Sequence, residues 1–424
     1  MQDESGKLIS MAILKPFRGV RPTKELVKRV ICRPYDVLDE KEARIEANGD
    51  PYSFYRVIKP EMDFPDDFDH YSPEIYKKGK ANYEQMKAEG VFFQDEKECF
   101  YIYAQSMNGR TQYGIVGCAA VEDYFNDIIK KHELTRPDKE EDRKTHVRVG
   151  NMNAEPVFFA YPQVVALDII VNEIIKQEPA YNLITDDGIG HTFWVVRDDA
   201  TINSLVKHFE QIPFTYVADG HHRTAAAALV GNELKAANPN HTGKEEYNYF
   251  LAVHFPDNQL QIMDYNRVVK DLNGLSDEEF LNKLAENFDI TAVGTTEHRP
   301  DELHNFGMYF NGEWYTLNAK AGTYNDQDPI GVLDVTILSE SVLAPILNIT
   351  DLRKDKRIEF VGGLRGLGEL KRRVDNGDMK VAFALYPVTM KQLIDIADNG
   401  LIMPPKVTWF EPKLRSGLVI HELS

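Results

Sequence analysis

The chain has 424 residues, 43% hydrophobic and 27% charged, an ordinary globular balance and too long for one typical core. A net charge of −18 argues against nucleic acid as a partner, and no apolar run is long enough to make a membrane one. Cys32, Cys99 and Cys118 lack metal-ligand spacing and read as buried thiols of a reducing cytoplasm, and Met1-Gln-Asp-Glu-Ser5 is unlike a signal peptide.

In chain order, Met11–Arg18 reads as a short strand closed by proline, and Val30-Ile-Cys32 is apolar before Pro34-Tyr-Asp-Val37. Asp39 caps a helix starting at Glu40, and Asn48-Gly-Asp-Pro51 marks a turn. Tyr35 and Asp36, with Arg56 after the strand-like Ser53-Phe-Tyr55, either line a pocket or bond internally. Residues 61–72 read as an exposed loop, and the spacing of Tyr76, Ala81, Tyr83, Met86 and Ala88 predicts an amphipathic helix ending at Gly90. Glu98–Ala104 and Gln112–Ala120 form a hairpin turned at Asn108-Gly109. His132 and Glu133 then follow an apolar run, ahead of the charge-dense Asp138–Lys144, which by itself reads as a solvated helix start. Val165–Ile175 is a core helix, Ile189–Arg197 a strand, and Asp198–Gln211 a helix with Leu205, Val206 and Phe209 on one face.

The chemistry concentrates in Phe214–Val230. Its β-branched and aromatic start suits a buried strand, and its alanine-rich end suits a helix. Between them lie Asp219, Gly220, His221, His222 and Arg223, followed by Thr224. Glycine supplies the turn, the helix start supplies unpaired N–H groups, and two imidazoles and a guanidinium stand beside it, which together suit phosphate. Gly231 closes the helix in C-cap style, and Asn238–Gly243 is a loop. Tyr247–Pro256 and Leu260–Arg267 read as strands paired around Asp257-Asn258.

From Asp271 a carboxy-terminal α+β part begins, with a capped helix at Ser276 and strands at Asp289–Val293, Asn305–Phe310 and Glu313–Leu317. A helix at Val332–Ile346 follows, then a strand, glycine turn and helix at Ile358–Leu370, read as structural. Lys380–Tyr386 is a core strand, Thr389–Gly400 a capped helix, and the tail Met403–Ile420 an ordered loop with a closing strand. Lys406, Lys413 and Arg415 either reach an anionic ligand or pair with acidic surface. Walker, Rossmann, zinc and Ser-His-Asp patterns are not seen.

Val217-Ala-Asp-Gly-His-His-Arg-Thr-Ala-Ala226 resembles the signature of the ParB/sulfiredoxin-like superfamily, in its Asp-Gly-His-His-Arg form that of the free serine kinases. Sulfiredoxins carry Cys where this chain has His221, so their sulfur chemistry is not implied. The whole chain is similar to the DUF1015 family, through Arg33-Pro-Tyr-Asp-Val37, Pro51–Arg56, Lys131-His-Glu-Leu-Thr135, Glu141-Asp-Arg143 and Met403-Pro-Pro-Lys406. The fold this implies is α/β (α+β), with an N-terminal region at 1–120, a ParB/sulfiredoxin-like core at 121–270 and a C-terminal domain at 271–424.

The resemblance implies a nucleotide-dependent phosphotransferase acting on a small hydroxylated metabolite, or else a nucleotide-binding regulatory switch as in CTP-dependent ParB proteins. Glu133 matches the glutamate that activates the acceptor hydroxyl. Asp219 would hold Mg2+, accompanying ATP, ADP or CTP, or orient the hydroxyl, and His221 would join it in catalysis. Gly220, His222, Arg223, Thr224, His132, Arg143 and Arg267 complete the expected phosphate and nucleotide site; related chains carry His-Arg at Asn266-Arg267, so only the arginine carries over. Asp219, His221 and His222 as ligands of a hydrolytic metal is a weaker alternative, because adjacent histidines seldom face one ion. The partners expected are nucleotide and small-molecule substrate, with a homo-oligomer left open.

Overall fold

The computed structural model describes residues 11–424, so the reading of Met1–Ser5 lies outside it. Chain contacts define two units in this mixed α/β protein: one runs to Leu260 and takes up Pro412–Ser424, and the other is Gln261–Glu411.

The first unit holds a nine-stranded sheet. Its strands are β1 (Leu14–Lys15), β2 (Phe100–Met107), β3 (Arg110–Ala120), β4 (Ile129–Lys130), β5 (Val157–Tyr161), β6 (Tyr181–Ile184), β7 (Gly190–Val196), β8 (Thr215–Asp219) and β9 (Tyr249–Pro256). They run in the order β4-β8-β5-β9-β3-β2-β7-β6, with β1 also on β3. Strands from 11–120 and 121–260 thus share one sheet, and the expected boundary at 120/121 falls between β3 and the short helix that follows it. The β2–β3 hairpin turns at Asn108 and Gly109, both at positive φ, the geometry that favours Asn-Gly.

The longer helices of this unit include α1 (Pro73–Ala88), α2 (Pro137–Gly150), α3 (Val165–Ile174), α4 (Asp199–Phe209) and α5 (His221–Ala237). Leu167, Leu205 and Phe209 from α3 and α4 pack with Phe100 and Ile102 in one core. A second core joins Val157, Phe159, Val217 and Ala252 to Ala227 and Ala228 of α5, whose small side chains let the helix lie close to the strands. Gly231 does not end α5. A methyl group there would stand 2.4 Å from Tyr247 O and 2.8 Å from Val121 Cγ2, so the glycine serves close approach.

Three further expectations change. Ser53-Phe-Tyr55 leads into a helical turn, Tyr55–Ile58, and is not strand. The segments on either side of Asp257-Asn258 do not pair, because β9 is already flanked by β3 and β5. The later strand, β10 (Tyr265–Val269), belongs to the second unit's antiparallel sheet with β11 (Phe288–Gly294), β12 (Asn305–Phe310), β13 (Glu313–Ala319), β14 (Ile358–Gly362) and β15 (Val381–Leu385). The helix expected over Val332–Ile346 is a short α-helix, α6 (Asp334–Leu338), continued by a π-helical turn at Ser339–Leu343. Among the described residues no helix is long and apolar enough to cross a membrane.

Candidate functional site

Strand β8 lies between β4, which it meets in parallel, and β5, which it meets antiparallel. Its register with β5 shifts between Val217 and Asp219, a bulge that re-aims the last residue just before the turn. Gly220 then adopts φ +93°, where a side chain is strained, and caps α5. A Cβ there would stand 3.2 Å from Cζ, Nε and NH2 of Arg223, so the turn and the guanidinium are in contact. Asp219, Gly220 and His222 are partly exposed, so the junction opens to the surface.

Arg223 is buried. It donates to Pro156 O at 2.7 Å and to Asp219 Oδ2 at 3.1 Å, with Asp36 Oδ2 at 3.9 Å. Burial works against its charge, but Asp36 and Asp219 outweigh that and its pKa is raised. Its Nε has no protein partner. Asp219 itself is pushed up by burial and held down more strongly by Lys413 and Arg223; Lys413 Nζ lies 3.3 Å from Asp219 Oδ1. Both oxygens of Asp219 therefore already face cations.

The histidines at the turn are neutral. Burial drives His221 and His132 each down to about 3, so both are neutral at pH 7. Their rings meet edge to face with centroids 4.5 Å apart, and His221 Nδ1 is 3.8 Å from Glu133 Oε2. Buried His221 Nε2 has no hydrogen-bond partner. His222, also lowered by burial, accepts the Arg136 N–H at Nε2 at 3.0 Å, so its remaining proton sits on Nδ1. The Thr224 hydroxyl turns inward and donates to Gly220 O at 3.0 Å.

Arg143, on α2, lies over the Tyr35 ring at 4.0 Å, donates to Asp142, and has Glu155 Oε2 at 3.8 Å. Glu155 Oε1 accepts from Tyr35 N and Ser416 Oγ, both at 3.0 Å. Arg143, Glu155 and Arg223 line one cavity of about 30 Å³, room for little more than a water and not for a nucleotide. Of the pair weighed with Arg56, Tyr35 and Asp36 join this neighbourhood, whereas Arg56 bonds to Asp63 and Asp50 O.

Arg267 belongs to the second unit. It is buried on β10 of the second unit, donating to Tyr265 O and, at 2.8 Å, to Lys406 O, with its charge disfavoured by burial and its pKa lowered to about 10. Glu155 escaped the sequence reading, although a lone carboxylate entering the apolar run Val157-Phe-Phe-Ala160 was a visible signal.

Fold and site define a mixed α/β protein whose site is a strand–glycine turn–helix junction joined by a buried arginine and flanking carboxylates. The chain belongs to the DUF1015 family, described as proteins of unknown function, whose profile matches residues 14–336. No curated protein matches the sequence. Among solved structures it is similar to a free serine kinase in complex with AMP, at 11% identity and TM-score 0.32, covering 70% of this chain and 86% of that one. It is also similar to a conserved hypothetical protein from Pyrococcus furiosus (14%, TM-score 0.32, 70% and 90% covered). A third is SbnI with a C-terminal truncation from Staphylococcus aureus (12%, TM-score 0.36, 71% and 85%).

Proposed function

We propose that the protein is a nucleotide-dependent phosphotransferase acting on a small, serine-like hydroxylated metabolite, with the ParB/sulfiredoxin-like part in its first unit. One observation carries the reading: Gly220 at φ +93° joins β8 to a 17-residue helix, with the Arg223 guanidinium against the turn. The first N–H groups of that helix have no partner within it and point where a phosphate oxygen gains most.

The acceptor's oxygen attacks the terminal phosphorus and forms the new P–O bond, while its proton passes to the Glu133 carboxylate. The bond from phosphorus to the bridging oxygen breaks, and its electron pair leaves with the nucleotide. Arg223 and the helix N–H groups offset the charge on the transferred group. Neutral His221 stands beside Glu133 with Nε2 unsatisfied, ready for a ligand hydrogen bond.

Mg2+ fits this setting as an ion held by one or two carboxylates and the phosphates. Among the described residues no group of three or more His, Cys, Asp or Glu is placed to hold a metal alone. Asp219 is occupied by cations and Glu133 takes the proton, so Asp36, close enough to act on His222, is the carboxylate that fits. Bound there, the ion would neutralise phosphate charge. Cys32, Cys99 and Cys118 are buried free thiols, which supports a cytoplasmic setting.

Glu133→Gln should cut turnover by about 100-fold or more while leaving nucleotide affinity in place. Full phosphotransfer by that variant would remove Glu133 from its role. Nucleotide binding without a phosphorylated product from any hydroxylated metabolite would make the protein a nucleotide-responsive switch instead.

A further inference from the structure

Arg267 is 1% exposed, a position a cation rarely takes unless a carboxylate shares it. It sits in the middle of β10, with Phe360 of β14 opposite it on one side and Phe383 of β15 on the other. Its guanidinium lies over the rings of Phe360, at 4.9 Å, and Tyr265, at 5.7 Å. Its hydrogen bonds go to two backbone carbonyls, Tyr265 O and Lys406 O. Burial disfavours its charge, and no carboxylate among the described residues offsets that. The four other buried arginines each have one: Arg21 has Asp95, Arg143 has Asp142, Arg223 has Asp219 and Arg415 has Asp187.

A second cation stands beside it. Lys406 holds its ammonium over the same Tyr265 ring at 5.8 Å, and it too has no ion pair among the described residues. Of the two readings its sequence allows, an anionic ligand or acidic surface, the second therefore finds no partner. Lys406 is exposed and lies at φ +60°, a left-handed geometry unfavourable for a lysine. Its carbonyl is one of the two on Arg267, at 2.8 Å. A carbonyl satisfies the donor but carries only a partial charge, whereas a guanidinium binds carboxylate and phosphate oxygens most strongly. The group covering Arg267 is thus the carbonyl of a surface residue, held there in a strained conformation.

We propose that Arg267 and Lys406 form an oxyanion-binding site of the second unit, which takes a carboxylate or phosphate group of a small ligand. The anion replaces the Lys406 carbonyl on Arg267 and shares its charge with the Lys406 ammonium. The site is built wholly from residues of Gln261–Glu411 and does not depend on the phosphotransferase reading.

The test is calorimetric titration of the full chain with inorganic phosphate and with malonate at fixed ionic strength. Wild type is compared with Arg267→Met, Lys406→Glu and Lys283→Glu, the last an identical charge change at another exposed lysine of the unit. Phosphate that settles on the Gly220 turn does so in all four proteins, so the differences between them read the second unit. Arg267→Met and Lys406→Glu should each weaken binding by about tenfold or more, the loss of one hydrogen bond to a charged group, while Lys283→Glu binds as wild type does. A loss confined to phosphate assigns a phosphorylated ligand, and a loss confined to malonate a carboxylate. Wild-type affinity for both anions in either site variant overturns the proposal. An equal loss in Lys283→Glu, which would reflect net charge alone, overturns it too, as does a wild type that binds neither anion. Where Arg267→Met proves unfolded by thermal denaturation, the exposed Lys406→Glu substitution decides in the same way.

Discussion

Gly220→Ala separates a strained backbone from a disturbed arginine, provided it is compared with Gly90→Ala. Both glycines lie at positive φ, +93° and +75°, but a Cβ at Gly90 meets nothing within 4 Å. Each substitution incurs about 1–2 kcal/mol for a left-handed alanine. Each recovers about 0.4–1 kcal/mol from a stiffer unfolded chain. Only at Gly220 does the new methyl press on Arg223, at 3.2 Å from three guanidinium atoms. Arg223 is held by Pro156 O and Asp219, so it cannot move without loosening bonds to a charged group, each worth about 1.5–3 kcal/mol. Gly220→Ala should therefore cost about 1–2 kcal/mol more than Gly90→Ala in urea unfolding of the first unit, and should weaken ADP binding by about tenfold or more. Equal costs for the two substitutions, with ADP affinity unchanged, would refute a turn built around the guanidinium.

Gly231→Ala should destabilise by about 1–2 kcal/mol in the same urea assay although alanine is the better helix former, because its methyl would overlap Tyr247 O; a gain in stability would show that α5 is free to shift. In the second unit, Asp334 is buried, accepts the His304 N–H at 2.9 Å with one oxygen, leaves the other unsatisfied, and is pushed up to about 7 by burial. Its folded form keeps a proton that the unfolded chain releases near 3.8, so stability is fullest below that value and falls as pH rises towards 7, by up to about 4 kcal/mol. Asp334→Asn should flatten this pH profile of unfolding; an unchanged slope between pH 4 and 7 would discount the carboxyl.

The strand–turn–helix junction was legible because each of its parts has a local cause: β-branched residues, one glycine, then alanines. The hairpin at Asn108-Gly109 was legible for the same reason, since φ preference needs no distant partner. Tertiary facts were not. Burial, invisible in one dimension, is what holds His221 and His132 neutral. The pairing of Asp36 with Arg223 spans nearly half the chain, and that of Lys413 with Asp219 depends on a strap that returns after 151 intervening residues. Arg267 lies within a strand, and that strand belongs to the other unit's sheet, which no local signal specifies.

The carboxylates around the turn look hostile to phosphate, yet they are what allows a buried arginine to wait there. A guanidinium as enclosed as that of Arg223 is too costly to leave unpaired, so the protein without ligand must supply anions. Asp219 does this at 3.1 Å and Asp36 at 3.9 Å, while Arg143 is balanced in the same way by Asp142 and Glu155. Ligand binding at such a site is an exchange of anions, and the first to yield is the one held least. Asp36 is both the more distant and the more exposed, with 41% of its side chain accessible against 27% for Asp219. It gives up a weakly held pair, whereas Asp219 would abandon two cations at once. The arriving phosphate should therefore displace Asp36 from Arg223, while the short Asp219–Arg223 bond stays in place to keep the guanidinium against Gly220.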